Sequence, residues 1–96
     1  MKKEVIQEML LNFITRNFMV EREDINLENS MIDEGIIDSF GLVELATFME
    51  AEFRMVVDDD DMIRDNFGSV LKIVDYIHRQ IMSMKGTEEA KSFHKN

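Results

Sequence analysis

Not one of the 96 residues is proline, and the apolar positions recur at helical rather than strand spacing. Without proline, no helix interior is kinked or stripped of a backbone donor. From about Lys3 to Asn17, the residues Val5, Ile6, Met9, Leu10, Phe13 and Ile14 form one stripe at 3.6-residue spacing. A second helix is predicted from Asp38 or Ser39 to about Arg54, with Leu42, Leu45, Ala46, Met49 and Phe53 on its buried side. A last helix opens at Ser69, an N-cap after Gly68, and buries Val70, Ile73, Val74, Ile77 and Ile81. A short helical segment is expected near Met62 to Asp65. The fold class is therefore all-α: a small antiparallel bundle of three main helices and one short one. It forms a single domain over residues 1–84, followed by a polar, flexible tail over 85–96.

The connection from about Phe18 to Asp38 is long for so small a domain, and long loops tend to be functional. Charged and polar residues at 21–24 and Asn26 break its periodicity, while Ile25, Leu27, Met31, Ile32, Ile36 and Ile37 are expected to pin it to the helices. It ends at Asp38-Ser39, where a hydroxyl meets the start of a helix. Amide N–H groups there lack intrahelical acceptors and the helix dipole is positive, so a phosphate ester on Ser39 would be favoured. Asp38 offers a carboxylate to a metal ion or to a basic group on a modifying enzyme. Gly41 is read as leaving space beside the serine for another protein. An ordinary N-cap is the plainer reading of Asp-Ser. Against it stand three features: Phe40, Val43 and Thr47 lie off the core stripe, the surroundings are acidic, and the longest loop leads to this serine. The capping-box position three beyond Ser39 is Leu42.

Twenty Asp and Glu oppose eleven Lys and Arg, for a formal net charge of −9. Such a surface repels phosphate backbones and anionic bilayers, so neither nucleic acid nor stable membrane insertion is expected. It steers the chain toward basic patches on other proteins, and self-repulsion favours a monomer. There is no cysteine, hence no disulfide, no thiolate metal site and no thiol of its own. The start, Met1-Lys2-Lys3-Glu4, has no signal-peptide apolar region, which points to a cytoplasmic protein.

The run Asp33-Glu34-Gly35-Ile36-Ile37-Asp38-Ser39-Phe40-Gly41-Leu42-Val43-Glu44-Leu45 resembles the phosphopantetheine attachment site of the acyl carrier protein family. That signature is Asp-Ser followed by a large apolar residue, here Phe40. The resemblance spans about Glu4 to Met82, and includes the Asp-rich approach to the short helix and the Val-Asp-Tyr-Ile of the last one. The attachment segment is especially similar to D-alanyl carrier proteins. Many fatty-acid carriers have one residue between the glycine and the aspartate and an acidic residue after the large apolar one; this chain has Ile36-Ile37 and Gly41. The resemblance implies a non-enzymatic carrier, with no catalytic residues of its own. Ser39 would receive 4'-phosphopantetheine from coenzyme A through a magnesium-dependent phosphopantetheinyl transferase, with Asp38 helping to present it. The arm would bring the thiol that the chain lacks, and hold cargo as thioesters. Phe40, Val43, Glu44, Thr47 and Glu50, with Met62 and Ile63, would face partner enzymes: an acyl- or aminoacyl-loading ligase and downstream synthases or transferases. The implied cargo is an acyl group of a fatty-acid, polyketide or related specialised pathway, or alternatively D-alanine or another amino acid. Acyl cargo would shelter between the second helix and the short segment.

Four aspartates at Asp58 to Asp61 invite a calcium reading, but an EF-hand loop counted from Asp58 would place Ile63 at the glycine position and Ser69 at the glutamate position. The run is read as a solvated face near a helix start. His78 and His94 have no cysteine or neighbouring histidine to build a metal site and are read as exposed. The nine methionines read as adaptable core filler. A rival from another class is an acidic helical adaptor with no prosthetic group, in which Ser39 is only part of a cap.

Overall fold

A computed structural model describes residues 1–94, with side chains through residue 83. Four helices follow one another: α1 (Lys3–Phe18), α2 (Ser39–Phe53), α3 (Arg64–Phe67) and α4 (Val70–His94), with 3₁₀ turns at Arg22–Asp24 and Asp59–Asp61. No strand occurs among the described residues. The side chains of the expected tail, 85–96, lie outside the described residues, as do 95 and 96 altogether.

The core is built from the predicted stripes, rotated slightly. In α1 the buried residues are Ile6, Leu10, Leu11 and Ile14; Met9 and Phe13 are half-buried. Val5, expected inside, is exposed. The stripe centres on the side that packs chiefly against α4, which leaves position 5 on its flank. From α4 come Val70, Ile73, Val74, Tyr76 and Ile77, and from α2 Leu45, Ala46, Met49 and Phe53. Each fully buried large aliphatic contributes roughly 1.5–3 kcal/mol from transfer out of water. Ser69 caps α4 as expected: its Oγ accepts the Lys72 N–H at 3.2 Å.

The long connection is ordered by its own bonds. Asn26 Oδ1 accepts the N–H groups of Glu28 and Asn29 (2.9 and 3.2 Å), and the Met31 carbonyl accepts those of Ile36 and Ile37 (2.9 and 3.3 Å). The Leu71 N–H donates to the Leu27 carbonyl at 3.1 Å, tying the loop to α4. Ile25, Met31 and Ile37 are buried, as predicted; Ile32 instead points outward, on the rim of a surface cleft. Gly35 turns the chain toward α2 with φ of 77°, a conformation in which a side chain is strained. Arg22 pairs with Glu8 across the start of the loop, and its guanidinium hydrogen bond holds the Glu8 carboxyl below the usual range.

Two helices end without the glycine that usually supplies a left-handed residue. Met19 follows α1 with φ of 54°, and Arg54 follows α2 with φ of 53°. No helix among the described residues is long and apolar enough to cross a membrane.

Candidate functional site

At the start of α2, Asp38 is extended (φ −105°, ψ −170°) and its Oδ1 accepts the Gly41 N–H at 2.8 Å. Its carbonyl takes the Leu42 N–H at 2.9 Å. Asp38 is therefore the N-cap, and Ser39 is the first helical residue, exposed at the rim of the bundle. The capping role falls to Asp38, and Ser39 stands exposed beside it.

Gly41 corrects the expectation that it leaves room for another protein. It is buried, and a Cβ there would lie 2.9 Å from both Ile37 Cγ2 and Phe18 Cε1. The missing side chain lets α2 start tight against the end of α1 and of the loop. Away from that contact, Phe40 is 82% exposed and Val43 58%.

Glu44, Thr47 and Glu50 are exposed on α2. Thr47 Oγ1 donates to the Val43 carbonyl at 3.0 Å, and Glu50 Oε2 accepts the Val57 N–H at 2.9 Å, fixing the chain that leaves α2. Ile63 is exposed, whereas Met62 is half-buried and packs against the core. Both line a cleft of about 110 Å³ with Ile32, Leu42 and Phe67, between loop, α2 and α3. Arg64 flanks it and pairs with Asp33 Oδ1 at 3.2 Å, linking α3 to the loop.

The aspartate run is less uniform than a solvated face. Asp58, Asp59 and Asp60 are exposed, but Asp61 Oδ2 accepts the Tyr76 hydroxyl at 2.9 Å and its carbonyl accepts Asn66 Nδ2 at 2.8 Å. Burial, then the hydrogen bond to Asp61, pushes the Tyr76 phenol well above the ordinary tyrosine range. Tyr76 is 1% exposed, so this bond satisfies a hydroxyl that would otherwise be buried alone. His78 is half-buried rather than exposed, and the His94 side chain lies outside the described residues. Among the described residues no group of three His, Asp or Glu side chains is placed to hold a metal ion.

One feature escaped sequence reasoning. Phe13 of α1 and Phe48 of α2 stack with centroids 4.2 Å apart and planes at 18°, and Phe18 and Phe53 meet this pair edge-on. Both stacked rings are half-buried and floor an open seam between the two helices. The only sequence signal was phenylalanine at 13, 18, 48 and 53, with nothing to pair them.

A small all-helical bundle whose long first connection delivers an exposed Asp-capped serine to the start of its second helix has the arrangement of a carrier protein. No protein-family model matches the chain. The D-alanyl carrier proteins of Streptococcus pyogenes serotype M5 (strain Manfredo), serotype M49 (strain NZ131) and serotype M1 are each 32% identical to it over 69 residues, 72% of this chain and 86% of the relative. The chain belongs to that carrier-protein family, with its similarity to the D-alanyl carriers.

Proposed function

We propose that this chain carries an aminoacyl group, D-alanine in the first instance, as a thioester on a 4'-phosphopantetheine arm attached to Ser39. The observation that carries the reading is the exposure of Ser39 at the first residue of α2, joined to the family membership. Attachment forms a P–O ester bond to Ser39 Oγ and breaks the diphosphate P–O bond of coenzyme A. Adenosine 3',5'-bisphosphate leaves, and the hydroxyl proton passes to a base of the transferase. Once attached, the arm supplies the thiol on which thioesters form.

The chain's own residues hold Ser39 in place and present it. Asp38 fixes the first turn through Gly41, and the close packing of Gly41 on Phe18 and Ile37 sets where the hydroxyl emerges. Phe40, Val43, Glu44, Thr47 and Glu50 flank it as the docking face, with Ile63 and the partly exposed Met62 at its α3 side. With three glutamates and no lysine or arginine, α2 matches a basic patch on a partner.

An aminoacyl cargo is favoured over the fatty-acyl or polyketide one by the relatives and by the cleft beside α2. At about 110 Å³ it falls well short of the roughly 300 Å³ at which ligand pockets begin. The cleft thus suits a small cargo better than a long chain sheltered in the bundle. The role is that of a carrier, with chemistry supplied by partner enzymes.

The test is intact mass after incubation with coenzyme A, magnesium and a broad-specificity phosphopantetheinyl transferase. The wild type should gain one phosphopantetheine and Ser39→Ala none. No gain by the wild type would leave an acidic helical adaptor in its place. Loading of the holo protein by a D-alanine-activating ligase, set against an acyl-activating one, then decides the cargo.

A further inference from the structure

Of the walls around the small cleft beside α2, α3 is the one with least support of its own. α2 is fixed: Gly41 is wedged against Phe18 and Ile37, and Leu45 and Met49 are fully buried. The loop wall is tied down by the Leu71–Leu27 hydrogen bond and by the turn that closes on the Met31 carbonyl. α3 has four residues, its N-cap Ile63 offers no side-chain cap, and Arg64 and Asp65 are exposed. A single helical turn has little stability in isolation, so α3 stays where its neighbours hold it.

On the cleft side that hold is Arg64 with Asp33, an exposed ion pair of a kind that contributes little. Behind the cleft, where α3 packs on α4, three hydrogen bonds form a string. The Tyr76 hydroxyl donates to Asp61 Oδ2 at 2.9 Å, Asn66 Nδ2 to the Asp61 carbonyl at 2.8 Å, and Arg79 Nη2 to Asn66 Oδ1 at 3.0 Å. The Tyr76 ring also backs Phe67, which lines the cleft, with centroids 5.5 Å apart. Tyr76 is buried, so drawing Asp61 away would leave its hydroxyl unsatisfied.

We infer that the string Tyr76–Asp61–Asn66–Arg79 sets the specificity of this carrier for small cargo, by clamping α3 to α4 and keeping the cleft too narrow to shelter an acyl chain. The inference rests on the carrier reading above. The cleft holds about 110 Å³, against the roughly 300 Å³ at which ligand pockets begin. With α2 and the loop fixed, the missing volume has to come from α3 moving outward, at the expense of the bonds behind it. Losing a hydrogen bond of ordinary strength shifts an open–closed balance by about fivefold. Tyr76, Asp61 and Asn66 are thus positioning residues, acting on cargo through Met62, Ile63 and Phe67.

The test loads the full apo chain from octanoyl-coenzyme A with magnesium and a broad-specificity phosphopantetheinyl transferase, then follows thioester cleavage by hydroxylamine through intact mass. On the wild type, cleavage should run within about twofold of the rate for free octanoyl-pantetheine, because the chain stays outside. On Tyr76→Phe and on Asn66→Ala it should slow about fivefold. In those variants, octanoyl loading should also move the signals of Leu42, Ile63 and Phe67, which stay put in the wild type. Asp61→Asn keeps an acceptor for the Tyr76 hydroxyl and should behave as wild type. A D-alanyl thioester, loaded the same way from D-alanyl-coenzyme A, should react at one rate on all these proteins, which separates a change of fit from general loosening. Asn66 is partly buried and its removal spares the Tyr76–Asp61 bond, so Asn66→Ala decides the matter if Tyr76→Phe does not fold. Four results would overturn the inference and leave the carrier reading intact. They are a wild type that already protects octanoyl, folded Tyr76→Phe and Asn66→Ala proteins that do not, an Asp61→Asn protein that shelters the chain, and a D-alanyl thioester slowed as much as the octanoyl one. A wild type that gains no acyl-phosphopantetheine at all removes the carrier reading itself.

Discussion

Replacing Asp38 with alanine removes the side chain that caps α2, and the structure sets what this should do. The lost contact is one 2.8 Å hydrogen bond from the Gly41 N–H to Asp38 Oδ1. N-cap deletions cost about 0.5–2 kcal/mol. This one belongs in the upper half of that range, because Gly41 is buried and its N–H is left with poor access to water, which costs about 1–3 kcal/mol for a donor left unsatisfied. A loss of about 1.5 kcal/mol is expected, or roughly 6–12 °C in Tm for a domain of this size. Asp38→Asn keeps a capping oxygen of similar rank and should retain most of the stability, forfeiting only a charge–dipole contribution of roughly 0.3–1 kcal/mol. Urea unfolding followed by far-ultraviolet circular dichroism gives both values. If the alanine variant unfolds within about 0.3 kcal/mol of wild type, or the asparagine variant falls as far as the alanine one, the cap is not what holds the start of α2. The same pair separates the two duties of Asp38. An asparagine variant that is stable yet poorly modified by the transferase assigns a recognition role to the charge.

Three further outcomes are expected. Gly41→Ala should destabilise by about 1 kcal/mol: overpacking against the stiff Ile37 branch and the Phe18 ring costs about 1–3 kcal/mol, against a helix-propensity gain of up to about 1. Increased stability in the same unfolding experiment would show that the contact is slack. Met19→Gly should stabilise by about 1 kcal/mol, because a left-handed residue that is 94% exposed gives up backbone strain and almost no packing; an unchanged Tm refutes this. Tyr76 makes stability fall in alkali. Its folded-state pKa is raised, so the unfolded chain loses the proton first, and the contribution is complete below about pH 10 and lost as the pH climbs beyond it. Tyr76→Phe should flatten that decline, as read from urea midpoints between pH 9 and 11, while losing about 1 kcal/mol at neutral pH.

Helix positions and the placing of Ser39 at the start of α2 were legible in the sequence because both rest on local signals. The 3.6-residue spacing of Leu45, Ala46, Met49 and Phe53 places α2, and Asp38-Ser39 at the end of an aperiodic stretch marks where it begins. What was not legible depends on which helix lies against which. Periodicity gives a stripe but not its angular centre, so Val5 was placed inside and Leu11 overlooked. Gly41 looked like open space from the sequence and is a point of contact, since Phe18 and Ile37 approach it from other segments. Tyr76 and Asp61, fifteen residues apart, gave no sign of bonding, and Asp61 therefore read as one more solvated carboxylate. The Phe13–Phe48 stack likewise exists only once α1 and α2 are set antiparallel. Left-handed Met19 and Arg54 had no signal at all, because the residue that normally announces such a turn is glycine.

The wedge at Gly41 has a mechanical consequence. Where backbone meets neighbouring side chains with no intervening methyl, the first turn of α2 has little freedom to rock or slide. Anything joined to the adjacent hydroxyl must draw its range of travel from its own rotatable bonds, swinging from a fixed pivot. A visiting enzyme would then find the anchor at one constant location, and only the free end would need to be searched for.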